Sequence, residues 1–286
     1  MHAGPLLSTL YVLFGSLAAC GGGASVTPPA KPAASPSAQP VSTPNDPSAA
    51  TPSRACAISD AAVSIVDAPD RTEDDREVDG GRHPAETLTF FRVAPGQRVA
   101  DLAAAGGYST ELLARAVGPT GKVYGQNSKW LIENFAEIPF SRRLARPVMR
   151  NVVRVDREFE DPFPAEAENL DAVFCIMFYH DLFWLNVDRD KMNRAVFQTL
   201  KPGGVYAIID HSGRRGTGAT EVKTLHRIEE KLVRAEIEKA GFRLRSEASF
   251  LRNPNDTRDW NAVPPGPIPG RRGTSDRFVL AYEKPQ

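Results

Sequence analysis

The chain lacks an excess of charge of either sign. Lys plus Arg and Asp plus Glu both number 35 over 286 residues, so the formal net charge is zero. That speaks against a dedicated nucleic-acid binder, which carries a basic face. Cysteine is scarce as well. The three residues, Cys20, Cys56 and Cys175, do not have a zinc-ligand spacing. Neither HExxH nor a GxxxxGK[ST] phosphate loop occurs. No tyrosine has a lysine four residues on, which excludes a short-chain dehydrogenase. No metal site is expected.

Long apolar runs are also missing. Residues 5–19, PLLSTLYVLFGSLAA, are apolar and uncharged but short for a mature membrane span. They end in Leu17-Ala18-Ala19-Cys20, which looks like a bacterial lipobox with Cys20 as the lipidated residue. The bland alternative is a short buried helix that contains a cysteine. Residues 21–55 are rich in Gly, Ala, Ser, Thr and Pro, with almost no large apolar side chains. Such a stretch cannot bury enough surface to fold and is expected to be an extended, mobile linker. The predicted plan is therefore a signal segment over 1–20, a linker over 21–55 and a globular domain over 56–286. It implies an exported protein, lipid-anchored on the periplasmic side of a bacterial envelope.

From Cys56 onward the sequence alternates strand and helix signals. Residues 57–67 and 84–91 predict helices, and DRTEDDREVDGGR between them predicts a solvated charged loop. RVADLA, KVYGQ, NVVRVD, LDAVFCIMF and GGVYAIID predict strands. STELLARAVG, KWLIENFAE, DRDKMNRAVFQTL and residues 226–240 predict helices. This alternation argues for an α/β fold with a parallel sheet covered on both faces. LDAVFCIMF is apolar without alternation, as a central strand should be. FRLRSEASFL and DRFVLAYEK follow one another without a helix and predict an antiparallel pair at one edge.

In an open α/β sheet the ligand sits beyond the carboxyl ends of the strands. The strands deliver Asp101 and Ala103 to Gly107, then Gln126 and Asn127, then Asp156, then Tyr179, His180 and Asp181, and last Asp210, His211 and Ser212. Strand ends are polar in any protein, but two histidines beside two aspartates on neighbouring strands are less expected.

The order of these pieces resembles the Rossmann-like S-adenosylmethionine-dependent methyltransferases. FFRVAPGQ, RVADLAAAGGYSTELLARAVG, GKVYGQN, LDAVFCIMFYHD and FQTLKPGGVYAIIDHS occur in that family's order, and the last two strands look like its edge hairpin. More narrowly, YHD, DHS, LHRIE and LRNPND resemble a branch of exported bacterial methyltransferases. The resemblance implies a three-layer sandwich, mostly parallel, with an antiparallel C-terminal edge strand. It implies S-adenosylmethionine as cofactor, with Asp101 hydrogen-bonded to loop backbone and Ala103, Ala105 and Gly107 on the family's three glycine places, next to Gly106. Alanine resists the positive φ that glycine permits. Gln126 and Asn127 stand where the family has an acid for the ribose. Asp156 would suit the adenine amino group, or simply cap a turn.

For the chemistry, His180 and His211 are candidate bases, with Asp181 and Asp210 to orient them. His226 starts the predicted helix over 226–240 and either faces the cleft or lies on the surface. Phe178, Phe183 and Trp184 line a substrate pocket or pack in the core. Arg214 and Arg215 form a basic loop beside the cleft, either a clamp for an anion or a solvated loop. Cys175 is expected to be an inert core thiol. The expected partners are a small-molecule or envelope acceptor and the membrane, with no nucleic acid. A second reading is a non-catalytic ligand- or partner-binding lipoprotein on the same fold.

Overall fold

A computed structural model describes residues 57–263 and 270–286. The signal segment with Cys20, the linker to residue 55 and Cys56 lie outside the described residues. The elements are α1 (Asp60–Val66), α2 (Glu73–Arg82), α3 (Pro84–Phe90), β1 (Arg98–Leu102), α4 (Tyr108–Val117) and β2 (Lys122–Asn127). Next come α5 (Lys129–Leu131), a π-helical turn (Ile132–Ala136), α6 (Glu137–Leu144) and β3 (Val152–Asp156). The remainder is β4 (Leu170–Ile176), α7 (Tyr179–Trp184), α8 (Arg189–Thr199), β5 (Leu200–His211), α9 (Val222–Leu225), α10 (Glu230–Lys239), β6 (Arg243–Ala248) and β7 (Arg277–Glu283).

Among the described residues the seven strands form one sheet in the order β3-β2-β1-β4-β5-β7-β6. The first five run parallel, and β7 is antiparallel to both of its neighbours. The C-terminal strand is thus the antiparallel one, but it inserts between β5 and β6. The edge is β6, whose charged sequence RLRSEA suits an edge that must not pair further.

β4 is apolar from Ala172 to Ile176 because both of its faces are covered. Ala172 and Phe174 join Leu88, Leu113 and Val117 of α3 and α4 on one side. Val173 and Cys175 join Met192, Val196, Val233 and Ile237 of α8 and α10 on the other. Each such aliphatic side chain contributes about 1.5–3 kcal/mol of burial. Cys175 is fully buried, and burial raises its thiol well above the ordinary value, which fits the inert thiol expected.

The charged segment from Asp70 to Arg82 is not a loop. Glu73–Arg82 is helical, capped by Thr72, whose hydroxyl accepts from Asp75 N at 3.3 Å, with three acids in the first turn. Two of its acids, Asp75 and Asp79, are paired internally. Arg143 of α6 makes two bonds of 2.6 and 2.8 Å to Asp75, and Arg71 makes two of 2.6 and 2.8 Å to Asp79. The partner of Asp75 lies 68 residues away, beyond any local pattern.

Three further boundaries differ from the sequence reading. The helix after β2 continues through a π turn to Leu144. Tyr179, His180 and Asp181 open a short helix, α7, rather than end a strand. His226 does not start a helix; it follows α9 in the left-handed conformation, with φ 50°.

Candidate functional site

A cavity of about 690 Å³ opens at the carboxyl ends of β1 and β4. One wall is the loop Ala103–Gly106, and another is formed by His180, Asp181, His211 and His226. Trp130, Phe135 and Trp184 stand partly exposed in its remaining walls.

The loop after β1 takes the shape that the glycine pattern predicts, although alanines build it. Ala103 and Ala105 both sit at positive φ, 60° and 48°. Each costs about 1–2 kcal/mol in an L-residue. What holds them is the end of β2. Gln126 Oε1 accepts from Ala103 N at 3.0 Å, and Asn127 Oδ1 accepts from Ala105 N at 2.7 Å. Gln126 also donates to Arg157 O at 2.6 Å, and both amides are buried. Neither lines the cavity. The two residues for which the resemblance implied a ribose contact are therefore turned onto loop backbone.

Gly107 takes φ 83°, and a Cβ there would lie 2.8 Å from Phe140 Cδ2 and 2.9 Å from Arg143 Cδ. Glycine is required here by α6, not only by an approaching ligand. Gly107→Ala is expected to cost about 2–4 kcal/mol, combining backbone strain and overpacking. Urea unfolding measures it, and a midpoint equal to wild type would show that α6 yields freely.

Asp101 is buried and faces the cavity. It accepts a 2.6 Å hydrogen bond from the Thr110 hydroxyl, and its backbone partner is the Thr110 amide of α4 rather than the loop. Burial pushes its carboxyl up to about 7, against the opposing pull of Thr110 and Arg82. Asp156 lies outside the cavity, at the exposed end of β3, where Arg154 Nε donates to it at 2.8 and 2.9 Å.

The histidines converge. His180 Nδ1 donates to Asp210 Oδ1 at 2.7 Å, and His180 N donates to Asp210 Oδ2 at 2.8 Å. His211 N donates to the same Asp210 at 2.7 Å. His180 Nε2 lies 3.3 Å from Asp181 Oδ1. The rings of His211 and His226 each stand 5.6 Å from that of His180. Burial works to lower the His180 pKa, but the charge and hydrogen bond of Asp210, helped by Asp181, hold it above its ordinary value. His211 goes the other way, held well below by burial and by the neighbouring cations. Burial, with His180 alongside, takes His226 down to about 4. Burial raises Asp181, with His180 opposing and Asp210 adding to it.

Two neutral imidazoles thus flank one imidazole that a buried carboxylate holds ready for a proton. Such a group can act as a base towards a ligand in the cavity. Among the described residues, no group of three or more His, Cys, Asp or Glu has the arrangement of a metal site.

Of the aromatic candidates, Phe178 and Trp184 line the cavity, while Phe183 packs under Arg189, whose guanidinium lies 3.4 Å from the ring centroid. Arg214 is paired with Glu221, and neither Arg214 nor Arg215 lines the cavity. Sequence reasoning missed Arg82, Tyr108, Trp130, Phe135 and Arg143 in the walls. A signal for the first existed: Thr72-Glu73-Asp74-Asp75 fits the S/T-x-x-D/E helix start.

No protein-family model matches the chain. Solved structures do match its backbone. An S-adenosylmethionine-dependent methyltransferase from Aquifex aeolicus superposes with TM-score 0.51 over 77% of this chain and 97% of its own, at 19% identity. The chain has the fold of the Rossmann-like methyltransferases. A proposed sarcosine dimethylglycine methyltransferase from Galdieria sulphuraria gives TM-score 0.52 at 16% identity, over 75% of this chain and 91% of its own. The proposed methyltransferase in complex with the Haloferax volcanii Trm112 activator gives TM-score 0.50 at 16% identity, over 79% of this chain and 98% of its own. The likeness spans three quarters or more of this chain and over nine tenths of each of these structures.

Proposed function

We propose that the protein is an S-adenosylmethionine-dependent methyltransferase of the bacterial envelope. Cys20 anchors it by lipidation on the periplasmic side, and its acceptor is a small molecule or an envelope component. The observation that carries this reading is a single cavity that meets both the loop after β1 and the His180–Asp210 pair.

The residues fit the amino-acid end of the cofactor. Asp101 offers a carboxylate to a cationic group. α4 is ten residues long and has no side-chain cap at its N-terminus, so its Tyr108 and Ser109 amides are open to a carboxylate. The ribose finds no acceptor at the end of β2, because Gln126 and Asn127 are occupied with the loop. When bound, the cofactor supplies an activated methyl group on its sulfonium. The protein then has to align the acceptor and take its proton. His180 does the latter through Nε2, since Nδ1 is committed to Asp210. His180 must first be neutral, so turnover rises with pH through its raised pKa.

Calorimetry with S-adenosylmethionine and S-adenosylhomocysteine tests the reading. Binding at micromolar to millimolar ligand is expected. Absence of heat at millimolar ligand would falsify the cofactor assignment. His180→Gln is expected to lower methyl transfer by about 10²–10⁴-fold with little change in cofactor affinity. A second reading is favoured by the occupied amides at the β2 end: a binding domain without turnover. Cofactor binding with no methyl transfer to any envelope fraction, in wild type and His180→Gln alike, is its expected result.

A further inference from the structure

Two arginines in and beside the cavity wall make no salt bridge among the described residues. Arg82 ends α2, lines the cavity, and makes no hydrogen bond or ion pair among the described residues. Its guanidinium lies over the Tyr108 ring, 4.3 Å from the centroid. The acids whose charge acts on it make their contacts elsewhere, Asp75 with Arg143 and Asp101 with Thr110. Arg277, at the start of β7, is 3 % exposed and has no carboxylate partner. Its donors go to the carbonyls of Ser275 (3.2 Å) and Gly273 (2.6 Å), and to Met177 Sδ at 3.7 Å.

The chain brings the two together by a contact that only glycine allows. A Cβ on Gly81 would lie 2.7 Å from Gly273 Cα. The residue after Gly81 is Arg82, and Gly273 O holds Arg277. Both arginines also line a side pocket of about 30 Å³ that shares Tyr108, Ser109, Ile176 and Met177 with the main cavity. Holding two guanidinium groups on one small pocket, with no carboxylate in salt-bridge contact with either among the described residues, is costly. An anion between them and the cavity removes that cost.

We propose that Arg82, with Arg277 behind it, receives a carboxylate or phosphate group of the methyl acceptor. This rests on the methyltransferase reading of the same cavity. The cofactor's own carboxylate already has the uncapped N-terminus of α4. Arg277 stands opposite His211 in the β5–β7 register, so the subsite lies on the histidine side of the cavity. Arg82 touches the anion. Arg277, with Met177 between it and the main cavity, positions it through charge. The acceptor is thereby an acid that presents its anion to Arg82 and its reacting atom to His180. An Arg fork suits a carboxylate or phosphate because two parallel N–H donors match two oxygens.

The test uses the full-length protein at constant ionic strength, with benzoate as an anionic probe and benzamide as its neutral counterpart. Benzoate is expected to raise the melting temperature at millimolar concentration, and benzamide is not. Arg82→Gln should weaken benzoate about tenfold or more, Arg82→Lys less, and Arg277→Gln by a smaller factor. S-adenosylhomocysteine affinity should stay within about twofold of wild type in Arg82→Gln. Equal responses to benzoate and benzamide overturn the proposal, as does an Arg82→Gln protein that still responds to benzoate. A matching loss of S-adenosylhomocysteine affinity overturns it as well, because the guanidinium then serves the cofactor's amino-acid end. A wild type that binds benzoate but no S-adenosylhomocysteine keeps the subsite and removes the cofactor reading. Arg82 makes no internal hydrogen bond, so Arg82→Gln should fold. If Arg277→Gln does not, the Arg82 pair of variants carries the test alone.

Discussion

At pH 8 the Asp101→Asn protein is expected to be about 2–4 kcal/mol more stable than wild type, and near pH 4 almost equal to it. The sign follows from where the proton sits. Burial pushes the Asp101 carboxyl from its ordinary 3.8 to about 7 in the folded protein. Between those values the folded state holds a proton that the unfolded state has released. Stability present below pH 3.8 is therefore lost as pH rises towards 7 and stays lost above it. The full difference corresponds to about 4 kcal/mol, and local relaxation around the charge reduces it. Asparagine keeps an acceptor for Thr110 and carries no charge, so the penalty disappears. Urea midpoints from pH 4 to pH 8 measure this, and parallel pH curves for the two proteins would refute it. The same logic has a functional side. A cationic ligand group beside Asp101 favours its ionised form, so such a ligand should bind more tightly at pH 8 than at pH 6.

Removing the Asp210 side chain should be more damaging. Asp210→Ala is expected to cost about 3–5 kcal/mol of stability, because three buried donors lose both carboxylate oxygens that accept from them. They are His180 N, His180 Nδ1 and His211 N, at 2.8, 2.7 and 2.7 Å. Asp210→Asn keeps one acceptor oxygen and should cost roughly 1–2 kcal/mol. It also isolates the electrostatic role. Without the charge, burial dominates at His180, and its pKa should fall from above the ordinary 6.5 to below it. Imidazole resonances followed by NMR from pH 5 to pH 9 read this directly. If His180 in Asp210→Asn still titrates above 6.5, Asp181 is the group that holds it up.

The sheet was legible in the sequence because its signals are local. VFCIMF announces a strand covered on both sides, and the strand–helix alternation announces parallel pairing. What was not legible depended on distance along the chain. EDDREVDGG reads as solvent-facing until Arg143, from another helix, is seen paired to Asp75. With the helix unread, Arg82 in its last turn was unread too. The site was legible in part for the same reason. His180, Asp181 and His211 reach the cavity because strand ends meet there in any such sheet. Gln126 and Asn127 do not, because an amide at a strand end bonds whatever backbone stands within reach. Here that backbone is a strained alanine loop one strand away. Residue type and spacing alone could not distinguish a ribose from such a loop.

The pair of amides that grips the Ala103–Ala105 loop also bears on how a ligand arrives. A glycine loop is free to wander and must be ordered at the moment of binding, which lowers affinity. This loop is already fixed, with the amides of Ala103 and Ala105 satisfied before anything enters. It has little ordering entropy left to lose, and those two amides have no free donor to offer. Entry and exit should therefore depend on the aromatic walls of Trp130, Phe135 and Trp184, not on the loop closing. The residence time of a ligand would then be a property of the rim.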